Sequence, residues 1–205
     1  MTLEDILTDL DSSQDELIEL GKRSAETYAL YPYDIFLSAI LNRSVNLIKG
    51  FCSLVRDNNF IAAAPLVRIH LDSLLRLYAS NLIDYNIDEF ANKVIGGKSI
   101  RDLKDRDGRK MTDNYLVKKI MENENHEWVK EVYKTGSGHV HFSNYISSYS
   151  TKIDSKKNDI INVTIGKHDS FVVESEKIGA AIRINQISIE IAALIEIWCE
   201  YKSNL

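Results

Sequence analysis

An all-α antiparallel bundle is the fold class the sequence predicts, and three observations predict it. Apolar residues recur at helical spacing through several long stretches. Only two prolines and nine glycines punctuate 205 residues, too few for the many turns of an all-β sandwich. The composition, 44% hydrophobic and 27% charged, is that of a globular chain able to bury a sizeable core. The expected organisation is a single helical domain over 1–205, with the segment 86–172 inserted as an elaboration before the last bundle helix.

The elements follow in order. Thr2 and Asp5 make a capping-box pattern ahead of a first helix from Leu3 to Tyr28, with Leu3, Ile6, Leu7, Leu10 and Leu17 on one stripe. Pro32 is expected to break it, and Asp34 to cap a second helix carrying Phe36, Ile40, Ile48, Phe51 and Val55. Asn58 or Asn59 then caps a third, expected from Phe60 to Tyr85. Its apolar character on most sides makes it central in the domain, and Pro65 is tolerated near its start. A short helix over 88–95 precedes a charged, solvated loop over 96–110. Thr112 caps the next helix, and "HEWVKEVYK" forms another. "YKTGSGHVHFSNY" reads as a turn in which Gly136 and Gly138 allow positive φ. "IINVTIG" and "SFVVES" have strand composition around "KHD" and predict a small hairpin. That hairpin must lean on the helices to be stable. The last helix runs from Glu176 to Lys202.

The net charge of -5 speaks against a broad grip on duplex nucleic acid, which takes a basic excess; it leaves room for a local basic patch. Cys52 and Cys199 lie in apolar helical patterns and read as buried free thiols. The acidic start lacks the basic, apolar layout of a secretory signal. No run approaches ~18 uninterrupted apolar residues. The expected compartment is the cytoplasm, without membrane attachment.

Two groups of residues could carry chemistry. Arg68, Asp72 and Arg76 recur every fourth residue on the third helix and line one face. Charges on an apolar helix need partners. The stripe is therefore either an internal salt-bridge ladder or a pocket wall whose arginines hold an anion such as phosphate. His70 lies about 200° round from Arg68 and reads as a satisfied structural residue. His139 and His141 bracket Val140; in an extended segment both rings would share a side. That spacing suits a transition metal, yet no CxxC, HExxH or third nearby histidine completes a ligand set, so neither metal nor other cofactor is expected. Histidine titrates near neutral pH and can do acid–base work on a 2′-hydroxyl, with Lys134, Ser137 and Ser143 placed to help hold a phosphate. "GGKS" at Gly96 to Ser99 lacks the glycine spacing and the preceding strand of a phosphate-binding loop.

The run "NNFIAAAPLVRIHLDSLLRLYASNLI", the "SGHVHFS" element and the long last helix resemble a group of uncharacterised bacterial helical proteins. Those have an arginine-bearing central helix and a short S-x-x-x-H element, and are considered relatives of the HEPN (higher eukaryotes and prokaryotes nucleotide-binding) superfamily. The resemblance spans Phe36 to Ser143 plus the final helix. It implies a small helical bundle, frequently a homodimer. Many members are metal-independent ribonucleases of toxin–antitoxin, abortive-infection and CRISPR systems. Their nuclease motif is an arginine followed, after a short spacer, by a histidine. Here Lys134 stands at that spacing, with four residues before His139 and six before His141. Lysine keeps the charge and loses the planar fork that grips phosphate at two points.

The resemblance implies Lys134, His139 and His141 as catalytic residues, with Arg68, Arg76, Asp72, Ser137 and Ser143 binding ligand. Two functions follow. One is an RNA-cleaving or nucleotide-binding defence protein whose Arg68 and "GHVH" element share one cleft. The other is a non-enzymatic interaction module, an inactive relative that binds a protein or a small anionic ligand. The module would pair Arg68, Asp72 and Arg76 internally and expose an apolar patch elsewhere.

Overall fold

Eight α-helices and one two-stranded hairpin make up the computed structural model, which describes residues 2–25, 29–154 and 160–204. The helices are α1 (Leu3–Ala25), α2 (Pro32–Arg56), α3 (Phe60–Ala79), α4 (Ile87–Ile95), α5 (Asp113–Ile120), α6 (Trp128–Val140), α7 (Asn144–Ser150) and α8 (Glu174–Ser203). The strands β1 (Thr151–Asp154) and β2 (Ile160–Val163) lie between α7 and α8. The all-α class with a small hairpin is therefore the observed one. The expected extension of the first helix to Tyr28 falls outside the described residues.

The caps explain where the helices start. Thr2 and Asp5 exchange reciprocal bonds at the head of α1: the Thr2 amide donates to Asp5 Oδ2 at 2.7 Å and the Asp5 amide to Thr2 Oγ1 at 3.2 Å. Pro32 begins α2 rather than breaking a helix before it, because its fixed φ and missing N–H suit the first helical position. Asp34 is accordingly one turn inside, where its Oδ2 accepts from the Tyr31 amide at 2.8 Å. Asn59 precedes α3 without a side-chain cap bond. The cap comes from far along the chain: Asp169 Oδ2 accepts from the Phe60 amide at 3.0 Å, and Lys177 pairs with the same oxygen at 3.1 Å. α3 stops at Ala79, short of the expected Tyr85; Ser80 Oγ bonds back to the Leu77 carbonyl and to the Tyr33 hydroxyl, each at 2.7 Å.

α3 is the hub. It packs against α2, α5, α6 and α8, while α1 packs against α2 and α8. One cluster of buried side chains runs through all of them, with Leu10, Leu37, Phe51, Leu71, Leu74 and Ile191 fully enclosed. Within segment 86–172, α6 lies directly on α3 and buries Val129 and Val132. The charged 96–110 stretch is likewise organised. It carries a short 3-10 turn, Ile100–Asp102, and an isolated bridge between Lys104 and Lys110. The Asp105 carboxylate accepts from the Asp107 and Arg109 amides and from the Tyr115 hydroxyl.

The hairpin pairs Thr151 with Val163 through Asp154 with Ile160. "SFVVES" is not a strand: Val173 is the N-cap of α8 and Val172 leans on the core. Asp169, just before it, caps α3, and the strand that pairs with β2 is the polar "TKID". Cys52 is buried and Cys199 half-buried, both as free thiols. α2 and α8 are long and apolar enough to cross a membrane by length and composition, and both supply residues to the core.

Candidate functional site

The "YKTGSGHVHFSNY" stretch is helical through Val140, with His141 as the extended C-cap residue of α6. Gly136 and Gly138 are thus interior helix residues, and the only glycines with positive φ among the described residues are Gly97 and Gly108. The reason for glycine at 136 is steric. A Cβ there would fall 2.7 Å from Arg68 Cβ and 3.3 Å from Arg68 Cα. α6 therefore rides against α3 at the arginine itself. Helical geometry also separates the two histidines. Successive residues turn by about 100°, so His139 and His141 face different sides of α6 instead of sharing one.

On one side lies a cleft of about 340 Å³, lined by Arg43, Arg68, Asp72, Asp113, Ser137 and His141. Its wall is a chain of charges. Arg43 Nη1 reaches Asp72 Oδ2 at 3.2 Å. Arg76 Nη2 reaches Asp72 Oδ1 at 2.7 Å and Asp113 Oδ1 at 2.5 Å. Arg68 Nη2 reaches Asp113 Oδ2 at 3.2 Å. All four carboxylate oxygens are taken by guanidinium groups, and four arginines face two aspartates, the exposed Arg101 lying 3.8 Å from Asp113 Oδ1. Burial alone would push the Asp113 carboxyl up; Arg76, Arg68 and Arg101 outweigh it and hold it below the usual carboxylate value. Arg68 also stacks over the Tyr133 ring, 4.4 Å from its centroid, which fixes the guanidinium plane at the mouth. Arg76 lies behind, with its Nη1 buried and unbonded.

On the other side is a cleft of about 370 Å³, between α3, α6, α7 and the start of α8. Its walls are aromatic: Phe60, His139, Tyr145 and Tyr149. The His139 ring is parallel to that of Tyr149 within 6°, at 6.0 Å between centroids, and 5.2 Å from that of Tyr145. Burial pushes the His139 pKa down. Its Nδ1 is buried and has no partner. Glu131 and Arg183, paired at 2.8 Å, and Glu176 supply the polar edge.

The expected site residues thus divide. Arg68, Asp72, Ser137 and His141 meet in the arginine cleft, with Arg76 supporting it from behind. His139 belongs to the aromatic cleft. Lys134 is exposed and lines neither. Ser143 is engaged in the turn between α6 and α7, donating to the Gly138 carbonyl at 2.7 Å and accepting from the Tyr145 amide at 3.3 Å. His70 is fully buried, its Nε2 3.0 Å from Ser188 Oγ. His126 pairs with Glu190 at 2.9 Å. Among the described residues, no group of three or more His, Cys, Asp or Glu side chains is placed to hold a metal ion. Sequence reasoning missed Arg43, Asp113 and Tyr133, which reach the cleft from α2, α5 and α6. Their only sequence signal is the need of an arginine stripe for acidic partners; it does not say which ones.

No family model, no curated protein and no solved structure matches this chain.

Proposed function

We propose that the chain is a HEPN-like helical protein that binds a phosphate-bearing ligand, RNA or a nucleotide, in the arginine cleft. One observation carries this reading. Arg43, Arg68, Ser137 and the exposed His141 line a single cleft whose aspartates are already saturated by guanidinium groups. The excess of positive charge, four arginines against two aspartates, is then available to an anion rather than to the wall. His141 is the exposed histidine that lines the cleft, and acid–base work on a bound 2′-hydroxyl is assigned to it in this reading. His139 faces away and Lys134 lies outside, so binding is better supported than cleavage by a histidine pair. Homodimerisation and a role in bacterial defence or a toxin–antitoxin pair follow from the HEPN resemblance.

The test is nucleotide and single-stranded RNA binding, RNA cleavage and growth toxicity for wild type, Arg68→Ala, His141→Ala and Lys134→Ala. Arg68→Ala is expected to weaken phosphate-dependent binding roughly tenfold or more, the scale of a lost charge-assisted bond. Unchanged binding in that variant overturns the phosphate reading. Equal cleavage and toxicity in wild type, His141→Ala and Lys134→Ala ends the nuclease reading.

A second reading, the interaction module, is favoured by a different observation. Ile153, Ile161 and Val163 on one hairpin face are more than half exposed, as are Ile165 and Phe142. A contiguous apolar face of this kind is typical of protein contacts.

A further inference from the structure

The aromatic cleft is the most developed feature that the phosphate reading leaves unused. Its volume of about 370 Å³ falls within the range of small-molecule pockets, about 300–1,000 Å³. Four rings from three helices line it. Phe60 and Tyr149, 2% and 5% exposed, form its floor, while His139 and Tyr145 offer ring surface on which a planar base can stack. The charges select further. Glu131 and Glu176 outnumber Arg183 in the lining, so the cleft repels phosphate. His139 Nδ1 is buried without a partner, and a buried polar atom left unbonded is costly. A turn of the imidazole about χ2 would bring that nitrogen to the cleft, where a ring nitrogen or exocyclic amine of a ligand would satisfy it. At the α8 edge, a Cβ added to Gly179 would meet nothing within 4 Å, so the space there is open.

We propose that this cleft is a second binding site, separate from the arginine cleft, and that it takes an uncharged planar nitrogen heterocycle of the nucleobase class. The choice of a nucleobase among such heterocycles rests on the RNA or nucleotide reading of the arginine cleft. The base could be presented as a free nucleoside or by a single-stranded RNA, and the two share the same chemistry at His139.

The experiment uses the full chain and two sets of probes: the four ribonucleosides, which carry no phosphate, and short single-stranded oligoribonucleotides. Each is titrated against wild type, Gly179→Leu, His139→Phe and Arg68→Ala. Gly179→Leu places a side chain in open space on a helix, so it should fold normally while filling the cleft; its thermal transition checks this. His139→Phe keeps the ring and removes Nδ1. The expected result is binding of at least one nucleoside, lost in Gly179→Leu, weakened roughly tenfold in His139→Phe, and unchanged in Arg68→Ala. Binding of oligoribonucleotides alone, with the same losses in Gly179→Leu and His139→Phe, identifies the base of a chain as the occupant. The proposal is overturned if neither probe set binds, or if a folded Gly179→Leu variant binds as wild type does. Failure of the phosphate reading has a different signature, namely oligoribonucleotide and nucleotide binding indifferent to Arg68→Ala.

Discussion

Gly136 and Gly179 are both interior helix glycines, and their surroundings assign them opposite roles. A methyl at 136 collides with the Cβ and Cα of Arg68, atoms fixed to the α3 backbone that cannot rotate away. A methyl at 179 meets nothing. Glycine costs a helix about 1 kcal/mol relative to alanine, so alanine is favoured by propensity at either site. Gly179→Ala should therefore raise stability by up to about 1 kcal/mol. Gly136→Ala should lower it by about 1–3 kcal/mol, the usual cost of overpacking, and should also shift Arg68 at the cleft. Urea midpoints of the two variants check this, and a shift in the same direction for both would contradict the steric account of Gly136. The sequence signal at 136 was misleading for a physical reason. Two glycines flanking a serine look like a turn, and only the approach of another helix explains glycine where the chain stays helical.

At the scale of elements, helix existence was legible and helix termination was not. Apolar spacing located α1, α2, α3 and α8 because one stripe of each faces the same core. Their ends depend on partners far along the chain. Asp34 shows this best. It reads as an N-cap, yet it is one turn inside α2, where it binds the last turns of α8: Trp198 Nε1 donates to Oδ1 at 2.7 Å and Lys202 Nζ to Oδ2 at 2.6 Å. Both members of the ion pair are buried, with side chains 1% and 2% exposed. Removing the carboxylate strands a buried ammonium and an indole N–H. Asp34→Ala should cost about 3–5 kcal/mol, the range for breaking a buried pair. Asp34→Asn keeps an acceptor for Trp198 and should cost less. Chemical denaturation of the two variants measures the difference, and equal, small losses would show that α2 and α8 are held by apolar packing alone.

The candidate site is a property of the whole molecule, which is why only part of it could be read from the chain. The Arg68, Asp72 and Arg76 stripe is periodic and visible; Arg43 and Asp113 belong to other helices and meet it only through packing. The same assembly buries titratable groups, and this makes a pH dependence of stability. His70, enclosed between α3 and α8, has its pKa pushed down by burial, and further by Arg43, to about 3. The unfolded chain protonates that imidazole near its ordinary value of about 6.5, while the folded one does not until about pH 3. The unfolded state thus binds more protons through this window, and stability falls as pH falls, by about 1.4 kcal/mol per pH unit for each such proton. His139, depressed by burial, acts in the same direction at the upper end of the window. Asp105 and Asp113 are held below the carboxylate value, so their contribution is intact above about pH 4 and is lost only below it. Unfolding free energy measured in urea should accordingly begin to drop near pH 6.5 and steepen below pH 4. In His70→Gln the upper slope should lessen by about one proton, with the acid limb kept. An unchanged slope between pH 6 and pH 4.5 in that variant would mean that His70 is not the group that couples the core to pH.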